Sequence, residues 1–261
     1  MKFKRNFPAA KQCGFSLLEL LLVIAILSLI VGAVFSQMGD AQQRLNAEET
    51  KLGDFQEARD FVDQFFRDIN QVGTPNIRMY DPTQVIFNTT NNTYDSRLAV
   101  GLVSIGNNSI TFEGSVNGTG TVQSVTYKIN GSGTCTYCLQ RSQVDKVNGS
   151  PLLAAAGGAQ STDWGTEIND LTNTNTTAFP IFRFYKYDGT QIDPTTLPLD
   201  ISTTAGTTAI ANVKTIQINL TIRNNAIIDQ KTGQPIETSF EGEVSLNNCS
   251  MASTGTPMSC Q

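Results

Sequence analysis

Residues Gly14–Phe35 read GFSLLELLLVIAILSLIVGAVF, and the rest of the 261-residue chain takes its meaning from them. From Phe15 to Phe35 the run is almost wholly apolar and 21 residues long, enough for a helix to cross the hydrocarbon core of a bilayer. Besides one acid, Glu19, only Ser16, Ser28 and Gly32 interrupt it. A charged side chain in such a span costs about 2.5–3.5 kcal/mol on insertion scales, so Glu19 marks function by default. The preceding leader holds Lys2, Lys4, Arg5 and Lys11 and no acid. That charge keeps it on the cytoplasmic side by the positive-inside rule. The apolar run is too long for the core of a cleavable secretory signal, and no A-x-A site closes it.

GFSLLELLLVIAIL resembles the prepilin processing site of type IV pilins and of type II secretion pseudopilins. The resemblance implies that a membrane peptidase cuts after Gly14, that the new N-terminus at Phe15 is N-methylated, and that Glu19 meets the free amine of a neighbouring subunit. The motif covers only the start of the chain but is specific, since a generic anchor has no need of glycine, phenylalanine and glutamate in this register. The physical reading agrees. A carboxylate in low dielectric wants a cation, and an amine four residues back along the same helix is poorly placed to serve. A subunit displaced along the axis can supply one, and the pairing then sets subunit register.

Removal of Met1–Gly14 would leave 247 residues, with 14 Lys+Arg against 23 Asp+Glu. An acidic body does not suit nucleic acid, which needs clustered Lys and Arg. There is no histidine, which removes the commonest general base and the commonest metal ligand. No G-x-S-x-G or P-loop occurs, and the carboxylates are scattered. No enzyme activity, cofactor or metal is expected. Asp188 to Asp193 lacks the pattern of a calcium loop and reads as a turn.

The helix is expected to run on from Phe15 to Val72. No proline falls between Ser36 and Val72. Leu45, Leu52, Phe55, Val62, Phe66 and Ile69 form an apolar stripe, widened by Phe61, Phe65 and Val72. Gly73-Thr74-Pro75 ends it. Gly32, Gly39 and Gly53 are either bending points or points of close packing. Strands are expected at Gln84–Phe87, Leu98–Ser104, Ser109–Glu113, Gln123–Ile129, Thr136–Arg141, Ile181–Tyr187, Val213–Ile222 and Thr238–Leu246. The clearest alternate apolar and polar residues, as in Ile216, Ile218, Leu220 and Ile222. Asn88–Thr93, Gly114–Thr121, Ser161–Thr177 and Thr203–Thr208 read as loops. Trp164, the one tryptophan, is expected to anchor its loop in the core.

The fold class is therefore α+β: a long N-terminal helix, membrane-spanning then amphipathic, packed against an antiparallel sheet. The expected divisions are a leader at 1–14, a membrane or filament-core helix at 15–36, an amphipathic helix at 37–73 and a β-rich head at 74–261. A second resemblance lies in Ala58–Gly73, Val125–Arg141, Phe182–Gly189 and the last two strands. These pieces are similar, in order, to PilW-like minor pilins and to J-type pseudopilins. The final strand closes with Leu246-Asn247-Asn248, without the arginine usual there. The resemblance implies a minor pilin that primes type IV pilus assembly; the alternative is a type II secretion pseudopilin, and a further one a tip adhesin or DNA-uptake component. Implied partners are the prepilin peptidase/methylase, other pilins packed helix to helix, and the inner membrane before assembly, with the head periplasmic and later part of a pilus or pseudopilus.

Without Cys13 the chain keeps Cys135, Cys138, Cys249 and Cys260. An even count on the exported side reads as disulfides, for which three pairings are open. The favoured pairs are Cys135–Cys138 and Cys249–Cys260; the second closes a loop that resembles the disulfide-bounded loop of many pilins. Redox use of Cys135-x-x-Cys138 lacks the βαβ setting such motifs need. A four-thiolate zinc site competes with oxidation.

Overall fold

A computed structural model describes residues 16–75, 99–130, 137–146, 164–173, 178–228 and 233–246. The chain divides into two compact units, Met1–Glu49 and Thr50–Gln261. A single helix, α1 (Leu17–Asn70), supplies the described part of the first unit and opens the second. It contains no proline, and leucine is its commonest residue, a side chain that loses little freedom in a helix. Its end is chemically marked. Gly73 adopts φ 73°, and its N–H donates to Glu113 O at 2.9 Å. Val72 bridges Gly114, so the chain passes from helix directly onto a strand.

The second unit is antiparallel throughout its described pairings. Strands β1 (Leu102–Ile105), β2 (Ser109–Gly114), β3 (Gln123–Asn130), β4 (Cys138–Asp145), β5 (Gly165–Ile168) and β7 (Leu199–Asp200) form a six-stranded sheet in the order β5-β4-β3-β2-β1-β7. Strands β6 (Phe182–Lys186), β8 (Val213–Ile228) and β9 (Pro235–Ser245) form a second, in the order β6-β8-β9. The expected alternation holds in β8, where Ile216, Ile218, Leu220 and Ile222 are buried. Both sheets share one face of α1. Phe65 packs tilted against Phe182 of β6, centroids 5.7 Å apart, and lies edge-on at 5.3 Å to Tyr127 of β3. Gly114 is required where helix and sheet meet: a Cβ there would lie 2.3 Å from Gln71 O.

The buried face of α1 is Ala58, Phe61, Val62, Phe65, Asp68 and Ile69. The expected apolar stripe is buried in its C-terminal turns only. Leu45, Leu52 and Phe55 are exposed, and an acid replaces an apolar side chain at Asp68. Two expected loops also contain structure. Ser161–Thr177 holds β5 and a bridge from Leu171 to Ile222. Thr203–Thr208 begins a short helix, α2 (Thr204–Ala211), because the Thr203 hydroxyl caps it by accepting from Gly206 N at 3.0 Å. Trp164 is half-buried rather than a core anchor, with the Lys128 ammonium 3.7 Å over its ring. The expected strand Gln84–Phe87 lies outside the described residues.

Asp68 is 1% exposed and ties the helix to the larger sheet. Its Oδ2 accepts from Tyr127 Oη at 2.7 Å and from Arg141 Nε at 2.9 Å, and Arg141 Nη2 lies 2.8 Å away. Gln64 Nε2 donates to Oδ1 at 2.7 Å. Burial, and then the Asp68 charge, push the Tyr127 phenol well above its usual range. The phenol thus remains a donor. A second buried pair, Glu113 and Lys146 at 2.7 Å, crosses from β2 to the end of β4, and Val100 N donates to the same Glu113 Oε2 at 2.9 Å.

Removing one partner of a buried pair leaves the other charge unmatched, at a cost of about 3–5 kcal/mol. Asp68→Ala is therefore expected to destabilise the chain by that amount. Tyr127→Phe removes one bond to a charged acceptor and should cost about 1.5–3 kcal/mol. Urea unfolding of the detergent-solubilised chain, followed by Trp164 fluorescence, measures both. An Asp68→Ala loss below about 1 kcal/mol would show that the network does not hold helix to sheet.

Candidate functional site

The site begins where α1 begins. The Glu19 and Leu20 N–H groups donate to Ser16 O at 3.0 and 3.2 Å, so Ser16 starts the first turn and Glu19 lies within it. A carboxylate there is favoured by the helix dipole, which accounts for its tolerance in the helix but not for its presence among hydrocarbon side chains. From Leu17 to Phe35 the side chains are exposed all round. The Ser28 hydroxyl donates to Ala25 O at 2.9 Å and is satisfied within the helix. Glycines 32 and 39 have nothing within 4 Å of a notional Cβ. They leave smooth places where another backbone can approach closely. A helix with no polar face has two stable surroundings, lipid or other apolar helices. By length and composition α1 can cross a membrane.

Gly14 and Phe15 lie outside the described residues, so the expected cleavage and methylation positions have no geometry to report; Glu19 is placed, in the first turn of α1. Cys138 is buried and disulfide-bonded. Cys135, Cys249 and Cys260 lie outside the described residues, and with them both expected pairings. Asp188 and Asp193 act in turns. Each accepts from a backbone N–H two residues on, Thr190 at 2.9 Å and Thr195 at 2.8 Å. Hydrogen bonds from the Thr190 hydroxyl and N–H hold Asp188 below the usual carboxylate range, and bonds from the Thr195 N–H and hydroxyl do the same for Asp193. Among the described residues no three cysteine or carboxylate side chains are grouped to hold a metal.

Two features of the second unit were not singled out in the sequence. Asp54 and Glu57 on α1 face Asp170 of the segment after β5. Burial raises both carboxyls above their usual range; hydrogen bonds to Asn224 and to the Asn169 backbone offset part of this, and the Asp170 charge adds to it. Asp170 adopts φ 56°, a left-handed turn that brings its N-terminal neighbour to Glu57. The other feature is an open groove of about 620 Å³ on the outer face of the smaller sheet, lined by Phe179, Arg183, Asn219, Arg223, Glu237 and Glu241 among others. Cross-strand polar pairs organise this face: Tyr185 Oη donates to Gln217 Oε1 at 2.9 Å, and Arg223 pairs with Glu237. Asp68 stands in helical register between Phe61, Phe65 and Val72, but the charged residues around it masked that signal. Asp170 left none.

Residues 9–35 match the family model described as the prokaryotic N-terminal methylation motif. The match spans Gly14, Phe15 and Glu19. No curated protein and no solved structure matches the chain. The chain thus carries a type IV pilin-like, class III signal, the mark of a prepilin peptidase substrate of pilin or pseudopilin type, joined to an α+β head consistent with the pilin fold. Such a motif marks pilin-like structural subunits, and the apolar helix fits a membrane anchor.

Proposed function

We propose that the chain is a PilW-like minor pilin that primes type IV pilus assembly at or near the filament tip. One observation carries the reading: a methylation motif over residues 9–35 that runs into an apolar helix with Glu19 in its first turn. The peptidase removes the leader at 1–14 and methylates Phe15. The segment at 15–36 waits in the inner membrane and then packs among other pilin helices. The segment at 37–73 and the head at 74–261 stay outside the cytoplasm, where Cys135–Cys138 and Cys249–Cys260 form disulfides. A loop the size of the second contributes about 3 kcal/mol in the chain-entropy model. In the filament Glu19 pairs with the Phe15 amine of a neighbouring subunit, because a lone charge among apolar helices is costly.

The runner-up reading is a J-type pseudopilin of a type II secretion pseudopilus, to which the same four segments are similar. The polar groove on the smaller sheet is the surface a tip adhesin would use.

Glu19→Ala should leave leader removal intact and reduce incorporation into filaments about tenfold or more, equivalent to losing at least about 1.4 kcal/mol of pairing free energy. Immunoblots of membrane and sheared-pilus fractions measure the two separately, and normal incorporation would remove the pairing role. Gly14→Val should leave the precursor uncut. Surface pili counted by electron microscopy in a strain lacking the chain should fall to near none and return on complementation. Normal pili with a lost secreted protein would instead assign the chain to a secretion pseudopilus.

A further inference from the structure

The groove of about 620 Å³ on the smaller sheet has the volume of a small-molecule site, and it lies wholly within the second unit. Outward residues of three strands make its floor. Phe182 and Phe184 of β6 are in the core, so Arg183 between them points outward. Its register partner on β8 is Gln217, followed outward by Asn219 and Thr221. On β9, Glu241 and Ser239 stand opposite Asn219 and Thr221. The groove is polarised. Its acids lie on the β9 side and are engaged: Glu237 accepts from Arg223 Nε at 2.7 Å, and Glu241 accepts from Gln217 Nε2. Gln217 Oε1 in turn accepts from Tyr185, so both ends of that amide are used. On the β6 side Arg183 has no partner among the described residues, and its fork of N–H donors stands open. One strand separates β6 from β9, which puts the two sides about 10 Å apart. Between them lie neutral groups that donate and accept, the Asn219 amide and the Thr221 and Ser239 hydroxyls, the latter two 3.3 Å apart. At the rim Phe179 is 67% exposed, an apolar ledge beside a polar floor.

This arrangement disfavours two classes of partner. An extended peptide binds by adding itself to a free strand edge, but the edge of β8 beyond β6 is taken. Thr172 N–H donates to Thr221 O at 2.8 Å, and the Asn173 amide donates to Asn219 O at 2.7 Å and accepts from Thr221 N at 3.1 Å. A polyanion needs clustered cations, whereas Arg183 and Arg223 are matched in number by Glu237 and Glu241. What remains is a ligand with one carboxylate for the Arg183 fork, hydroxyls for the floor and for the spare lone pairs of Glu241, and an apolar face for Phe179.

We infer that this groove binds an acidic saccharide, with a uronate carboxylate on Arg183 and ring hydroxyls on Asn219, Thr221, Ser239 and Glu241. The site stands apart from the methylation motif, so the inference holds or fails independently of the pilin-type reading. The test titrates the detergent-solubilised full chain with cellobiouronate and with cellobiose, which carries a hydroxymethyl group in place of the carboxylate and is otherwise the same disaccharide. Saturation-transfer NMR reads the binding. Cellobiouronate should bind at least about tenfold more tightly than cellobiose. Arg183→Gln should abolish that preference, and Phe179→Ala should weaken both sugars about threefold or more. Arg183 holds no other described side chain in place and Phe179 lies at the surface, so the fold survives either change; an unshifted urea midpoint checks this. No binding, equal affinity for the two sugars, or indifference to either substitution would overturn the assignment. So would a Glu-Ala-Lys peptide that binds as tightly as cellobiouronate, which would make the groove a site for peptide charges instead.

Discussion

A helix with apolar side chains on every side has no stable place in water, and the rest of this chain answers to that constraint. From Leu17 to Phe35 the side chains of α1 are exposed hydrocarbon with one carboxylate among them. Lipid satisfies the hydrocarbon but not Glu19; a bundle of like helices with a free amine at the right height satisfies both. A basic leader and a peptidase site that creates such an amine are what that solution requires. The matched methylation motif and the α+β head supply the first elements of it.

The C-terminal turns of the same helix solve the opposite problem. They must hold two sheets with one narrow face. Phe61, Phe65 and Ile69 provide the apolar contact, and Asp68 in their midst provides direction. A buried carboxylate satisfied by Tyr127, Arg141 and Gln64 at 2.7–2.9 Å tolerates little rotation or slippage of the helix, whereas Phe against Phe would tolerate both. Packing makes the contact favourable, and the polar network makes it unique.

The legible parts of the fold were those in which one periodicity dominates. Ile216 to Ile222 alternate because one face of β8 is buried, and Gly73 marked the helix end because only a left-handed residue lets the chain turn onto β2. The parts that failed depend on partners remote in sequence. GTEI at β5 has no apolar alternation, since a four-residue edge strand is held by its ladder to β4. Thr203–Thr208 is rich in residues that favour loops, yet one hydroxyl cap and a tightly enclosed Gly206 suffice to start a helix. Leu45 and Leu52 shared the periodicity of the buried stripe without sharing its burial. Periodicity reports that a face is apolar, not which molecule covers it. For the site, Glu19 was legible because acid in hydrocarbon is rare. Asp68 was obscured by the charged residues around it.

The most direct test is the N-terminal peptide of the chain isolated from its native membranes, read by mass spectrometry. A peptide that begins with N-methylated Phe15, with no residue of 1–14 attached, is the expected result. A chain that retains its leader, or is cut elsewhere than between Gly14 and Phe15, would contradict the pilin-type processing on which the assembly role of Glu19 depends.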